Sequence, residues 1–385
     1  MHPFGAFAGI PYANVQDYDG LVRRTVLLLL VSMMLGLPAL AHSQQPSCSW
    51  APDAATTRDA ILFGVDAVDP SSTWAVGSVR GADDWSRTLV RHWDGTEWAT
   101  QPSPSVEERR NELRDVVGLP DGTAWAVGSH SRTTMKTIVQ RYDGTRWRMQ
   151  RSLNPSKTIN ALYAVDVTPG GTVYAVGTRW NARRRDRTMI LRFDGETWQT
   201  IPSPLAGSFY DVDAIADDDV WVVGVRDAGP LAIHYDGESW TKAELPLDQY
   251  SALFAVSAAA PDDVWAVGKY DENDGRPLIL HFDGTTWSTS EPPEEGLRFV
   301  ELLSVSAPRS DYAVTVGQRD IWEFDDDRRV VLEWDGSTWA EAPREHSTES
   351  DRLEAVDATA DGSAWAVGYH STRPKTSYVM RRTCT

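Results

Sequence analysis

Apolar and polar residues alternate in short runs from Trp50 to the end of the chain. The runs are rich in Val, Trp, Tyr and Thr and are separated by turn residues such as "PDG", "PGG", "PDD" and "ADG". No stretch carries a helical period, so strands are expected throughout. One phrase, Trp-Ala-Val-Gly, opens at Trp74, Trp125, Trp265 and Trp365. Near-copies open at Tyr174, Trp221 and Val314, each with glycine three residues later. The seven positions are spaced by 51, 49, 47, 44, 49 and 51 residues. A second phrase, aromatic-Asp-Gly-x-x-Trp, ends at Trp98, Trp147, Trp198, Trp240, Trp287 and Trp339, and a third, Leu-x-x-Val with Phe209 replacing Leu in one copy, precedes each opening phrase. Self-similarity at this period means one structural unit used many times.

Four strands per unit follow from these phrases. They are the Leu-x-x-Val run, the Trp-Ala-Val-Gly run, a run such as "TMILRF", and the run that starts at the second tryptophan. Asp-Gly sits between the third and fourth because a tight hairpin needs positive φ, which glycine tolerates. Four-stranded units of this length predict an all-β fold, a seven-bladed β-propeller of antiparallel blades. The seventh unit lacks its fourth strand. Trp50 stands 24 residues before Trp74, matching the 23 to 27 residues that separate the second-phrase tryptophan from the next opening position elsewhere. Cys384 lies 16 residues after Gly368, where other units place their turn aspartate 12 to 18 residues after glycine. The N-terminal strand is therefore expected to complete the last blade, with a Cys48–Cys384 disulfide in place of the missing hairpin.

Residues 1–41 read as a signal peptide: Arg23 and Arg24 precede the apolar run "TVLLLLVSMMLGLPALA", which ends in Ala39, Leu40 and Ala41. A membrane anchor is the competing reading, but Gly36 and Pro38 interrupt a run already short for a span. Residues 42–385 are expected to form one propeller domain, secreted, periplasmic or at the cell surface, and monomeric. The two cysteines suit an oxidising compartment. A net charge of −18 argues against nucleic acid or an anionic membrane as partner.

The repeated phrases resemble the Asp-Val-Trp-Ala-Val-Gly and Trp-Asp-Gly-Thr-x-Trp repeats of secreted bacterial propellers related to the galactose-oxidase and kelch group. The resemblance covers about residues 48 to 384. The turn phrase also resembles the Asp-box of sialidases, although here Asp and Gly are adjacent, the leading serine is absent, and the kelch double glycine is missing. The resemblance implies the fold and carries no activity over to any residue.

Twelve of the 17 tryptophans fall in the two repeating columns, and Trp93 and Trp334 precede Asp-Gly; these are expected in the core. Trp85, Trp180 and Trp322 remain, all in connections between second and third strands, on the face those connections share with the blade-to-blade loops. The column two residues after each glycine brings Val79, His130, Arg179, Arg226, Tyr270, Arg319 and His370 to the same face. Arginines there could clamp a carboxylate or sulfate, and flat aromatics suit a sugar ring. The alternative is that the arginines pair with neighbouring acids such as Asp227, Asp271 and Asp320.

His92, His234 and His281 share a column with Arg141, Arg192 and Glu333, which points to a strand-surface role instead of metal ligation. Asp66, Asp166, Asp213 and Asp357, with Ser257 and Ser306, are expected to cap the inner turn, a ring of acids at a catalytic channel being the other reading. "DENDG" at Asp271 is too short for an EF-hand loop, "DDD" at Asp325 reads as solvated loop, and "ARRRDR" is a local basic patch. No phosphate loop, zinc-ligand pair or nucleophile elbow occurs, and no metal or cofactor is expected. The expected function is binding of a glycan or protein on the loop face through Trp85, Trp180, Trp322, Tyr270, Arg179, Arg226, Arg319, His130 and His370. Alternatives are a hydrolase or lyase acting on an anionic polysaccharide and a structural envelope protein.

Overall fold

A computed structural model describes residues 48–384 except 54–55, 181–185, 227–228, 248–249, 271–274, 294–296, 320–328, 344–350 and 372. Seven four-stranded antiparallel sheets form the blades of a closed ring. Blade 1 runs outward as Ala60–Asp69, Ser72–Arg80, Ser86–Trp93 and Trp98–Gln101. The inner strands of blades 2 to 7 are Arg110–Gly118, Ile159–Val167, Ser208–Ala216, Ser251–Ala260, Val300–Arg309 and Asp351–Ala358. Each abuts the inner strand of the next blade, and the last returns to the first.

Cys48–Pro52 is the outer strand of blade 7, pairing antiparallel with Thr376–Cys384. The register sets Cys48 opposite Cys384, and a disulfide joins them. Trp50 thus takes the place of a second-phrase tryptophan. It packs with Val314 of blade 6 in one buried cluster.

The two tryptophan columns interlock across the blade interfaces. Trp74 of blade 1 meets Trp147 of blade 2 edge-on, with ring centroids 5.3 Å apart and an interplanar angle of 87°. Trp125 meets Trp198, Trp221 meets Trp287 and Trp265 meets Trp339 in the same T-shaped way. Edge-to-face contact is the arrangement the ring quadrupoles favour. The third column covers the other side of the indoles. His92 lies 4.1 Å from Trp74, His234 4.3 Å from Trp221 and His281 4.3 Å from Trp265, while Arg141 and Arg381 take this place over Trp125 and Trp365. Asp219 and Asp263 hydrogen-bond His234 and His281. These histidines are packing residues, and among the described residues no group of three or more His, Cys, Asp or Glu could hold a metal ion.

A bulge in each inner strand explains the glycine of Trp-Ala-Val-Gly. Pairing with the second strand skips one residue in every blade, at Phe63, Arg114, Tyr163, Tyr210, Phe254, Leu303 and Glu354. The bulged backbone bends toward the second strand, so a Cβ on Gly177 would stand 2.0 Å from the Ala161 carbonyl oxygen. The hairpin glycines have the positive φ the turn requires, +94° at Gly95 and +86° at Gly284. In each turn the aspartate side chain accepts from backbone N–H groups two and three residues ahead, as Asp283 does from Thr285 and Thr286.

Candidate functional site: the channel mouth and loop face

The inner strands start at the face that carries the connections between second and third strands. The bulge therefore delivers seven side chains to the channel wall near this end. Three consecutive blades contribute an aromatic arc: Tyr163 and Tyr210 have centroids 5.5 Å apart, and Tyr210 and Phe254 5.7 Å. All three are half-buried. In blades 1 and 2 the Arg114 guanidinium lies 4.2 Å from the Phe63 ring centroid.

Ion pairs occupy the rest of the mouth. Arg114 holds Glu112 at 2.6 Å, Arg352 holds Glu354 at 2.6 Å, and Lys269 pairs with Glu301, which also accepts from Gln318 at 3.1 Å. Burial raises the Glu354 pKa, although Arg352 and Arg114 pull against it. Lys375 stands 4.0 Å from the Tyr369 ring centroid.

Six aspartates lie deeper in the channel. Asp66 accepts from the Gly118 N–H, Asp115 from Val165, Asp166 from Ala214, Asp211 from Val256, Asp213 from Ala258 and Asp357 from Ala67, each reaching into the next blade. Ser257 does the same to Ala307 and Ser306 to Ala358, so all seven interfaces are tied. The column expected to cap its own turn thus laces neighbouring blades together. Burial and the mutual proximity of the carboxylates raise their pKa values: Asp115 to about 7, Asp166 to about 6, and Asp66, Asp211 and Asp213 well above the usual range.

The described residues expected to form the site are spread over all seven blades, with Arg179 and Trp180 sharing blade 3. Trp85 is half-buried in the blade 1 connection, with the Arg132 guanidinium 5.9 Å from its ring centroid. Trp180 ends the second strand of blade 3, where its carbonyl accepts from Thr158 at 2.6 Å. Tyr270 packs beside the core shared by blades 4 and 5. Arg179 is half-buried opposite Asn160, Arg226 is exposed, and Arg319 is buried 3.8 Å from Glu341. His130 is half-buried, and burial lowers its pKa with help from Arg109 and Lys136. His370 is bonded to the buried Asp351, which also pairs with Arg329 at 3.5 Å. Trp322, Asp227, Asp271, Asp320, Asp325–Asp327 and Arg183–Arg185 lie outside the described residues.

The bulge residues are the part of the site that the sequence reading missed. Their signal was present, since each is the letter after the Leu of Leu-x-x-Val, or after Phe209 in blade 4. Strand alternation would bury that position between blades; only the bulge turns it to the channel.

No protein-family model matches the sequence, and no curated protein matches it as a relative. Solved structures match the fold. YCF48 bound to D1 peptide superposes with a TM-score of 0.57 at 13% identity, covering 88% of this chain and 97% of that one. The RRP9 WD40 repeats give 0.58 at 10% identity, over 87% and 99%. An ulvan lyase of a polysaccharide lyase family, bound to -[GlcA(1-4)Rha3S]-, gives 0.53 at 10% identity, over 80% and 89%. At these identities the likeness is one of fold.

Proposed function

We propose that this protein is an interaction module, exported to an oxidising compartment, that holds an extracellular protein or glycan on its loop face. The observation that carries the reading is the set of half-buried aromatics at one end of the ring: Tyr163, Tyr210 and Phe254 at the mouth, with Trp85, Trp180 and Tyr270 around it. Aromatic side chains that keep one surface toward solvent near a concave centre are the usual anchors of binding sites. Export is supported by the Cys48–Cys384 bond and by the signal-like residues 1–41, and among the described residues no helix is long and apolar enough to cross a membrane.

The structural neighbours include a peptide complex and a saccharide complex, so both partner classes belong in the first test. Arrays of peptides and glycans should yield a ligand that Trp85→Ala and Trp180→Ala bind less tightly while melting as the parent does. Unchanged binding by both variants would remove the face from consideration. A carbohydrate-active enzyme is the second reading, favoured by the contact of His370 with Asp351 beside Arg329. It requires turnover of a polyuronate or sulfated polysaccharide that His370→Ala abolishes.

A further inference from the structure

We infer that the channel mouth receives one cationic side chain of a partner protein, an arginine guanidinium or lysine ammonium that passes the aromatic arc and ends among the channel aspartates. This deepens the binding-module reading and rests on it.

Three features of the mouth select a cation. Tyr163, Tyr210 and Phe254 present adjoining ring surfaces, which attract a cation through their quadrupoles. The chain already contains such a contact at the equivalent position of blades 1 and 2, where Arg114 rests on Phe63. The groups below the arc are acids that turn negative as they ionise with rising pH. Glu112 with Arg114, Glu301 with Lys269, and Glu354 with Arg352 neutralise one another at the rim. Among the described residues, backbone N–H groups and a serine hydroxyl are the hydrogen-bond partners that tie Asp66, Asp115, Asp166, Asp211, Asp213 and Asp357 to their neighbours.

Distance selects a long side chain. The aspartates follow the bulge residue by one position (Asp115, Asp211) or by three (Asp66, Asp166, Asp213, Asp357). At about 3.3 Å per residue they lie roughly 3 to 10 Å below the arc, within reach of lysine or arginine but not of a group held at the rim. An anionic saccharide could stack on the arc, but its carboxylate would face these acids. A polypeptide partner is therefore favoured over an acidic glycan.

The protonation of the ring provides a readout that simple aromatic stacking lacks. Burial raises Asp115 to about 7 and Asp166 to about 6, so a cation seated beside them must expel protons at mildly acidic pH. The charged groups that face them are Asp66, Asp211, Asp213 and Asp357 on the inner strands, Asp219 beside Asp213, and Glu112, Arg114, Lys269, Glu301, Arg352 and Glu354 at the rim. Binding should strengthen as pH rises.

The test is calorimetric titration of the full chain with a capped pentapeptide carrying one central arginine, at pH 5.5 and 8 and in buffers of differing ionisation enthalpy. The citrulline peptide, which keeps the shape without the charge, and an oligogalacturonate serve as comparisons. The arginine peptide is expected to bind about tenfold tighter at pH 8 and to release protons at pH 5.5. Tyr210→Leu and Phe254→Leu, both melting as the parent does, should each weaken it about fivefold. Equal binding of the citrulline peptide, an affinity flat with pH, preference for the oligogalacturonate, or no binding at millimolar peptide would each overturn the inference. If the Trp85 and Trp180 face still captures a ligand in that event, the binding-module reading stands; if it captures none, both fall.

Discussion

At the scale of single residues, the glycine three positions after each opening aromatic is set by a contact on the neighbouring strand. A Cβ at Gly77, Gly128, Gly177, Gly224, Gly268, Gly317 or Gly368 would stand 1.8 to 2.0 Å from an inner-strand carbonyl oxygen. Both groups are backbone, so no side-chain rotation relieves the clash. Gly177→Ala is expected to lower unfolding free energy by about 3 kcal/mol, at the upper end of overpacking costs, as read by denaturant titration. A loss below about 0.5 kcal/mol would mean that the bulge relaxes when challenged. The neighbours of this glycine show that it makes room for the inner-strand backbone just before the bulge.

At the scale of elements, the outer strand of blade 7 comes from the opposite end of the chain to its three partners. Its five residues pair with Met380 to Cys384, and Trp50 donates to Glu333 of blade 6 at 2.7 Å. Arg382, opposite Trp50, holds the same carboxylate at 2.6 Å, so both strands of the seam are tied noncovalently to blade 6 on one face of the sheet. The disulfide adds to them by limiting the unfolded chain across a loop of several hundred residues. Cys48→Ser is expected to keep the fold and cost about 2 to 4 kcal/mol, seen as a lower melting temperature that reductant no longer changes. An unchanged melting temperature would show that pairing and the Arg382–Glu333 contact suffice. This strand was legible because spacing alone placed Trp50 and Cys384. The pairing of Arg382 with Glu333 was not, because it joins side chains 49 residues apart on two blades that pack face to face.

At the scale of the whole molecule, the aspartates around the axis couple ring closure to pH. Their folded-state pKa values lie above the unfolded value near 4, so the stability they contribute is complete below about pH 4 and is lost as pH rises through 6 to 7. The exposed turn aspartates act in the opposite sense. Hydrogen bonds from Thr96 and Thr285 and from nearby backbone N–H groups hold Asp94 and Asp283 at about 2, so their contribution is present above pH 4 and is lost only as pH falls toward 2. Thermal midpoints should therefore fall by several degrees between pH 5 and pH 8; a flat or rising profile would mean that the ring stays ionised in the folded state. The repeat by itself determined the number of blades, the four strands in each, the hairpin turns and the partner of the first strand, because these depend on local turn chemistry and spacing within one unit. Tertiary structure decided where side chains meet across units. The bulge sends Tyr163, Tyr210 and Phe254 into one arc and the aspartates into one ring, since a closed circle brings together residues that no spacing along a line makes neighbours.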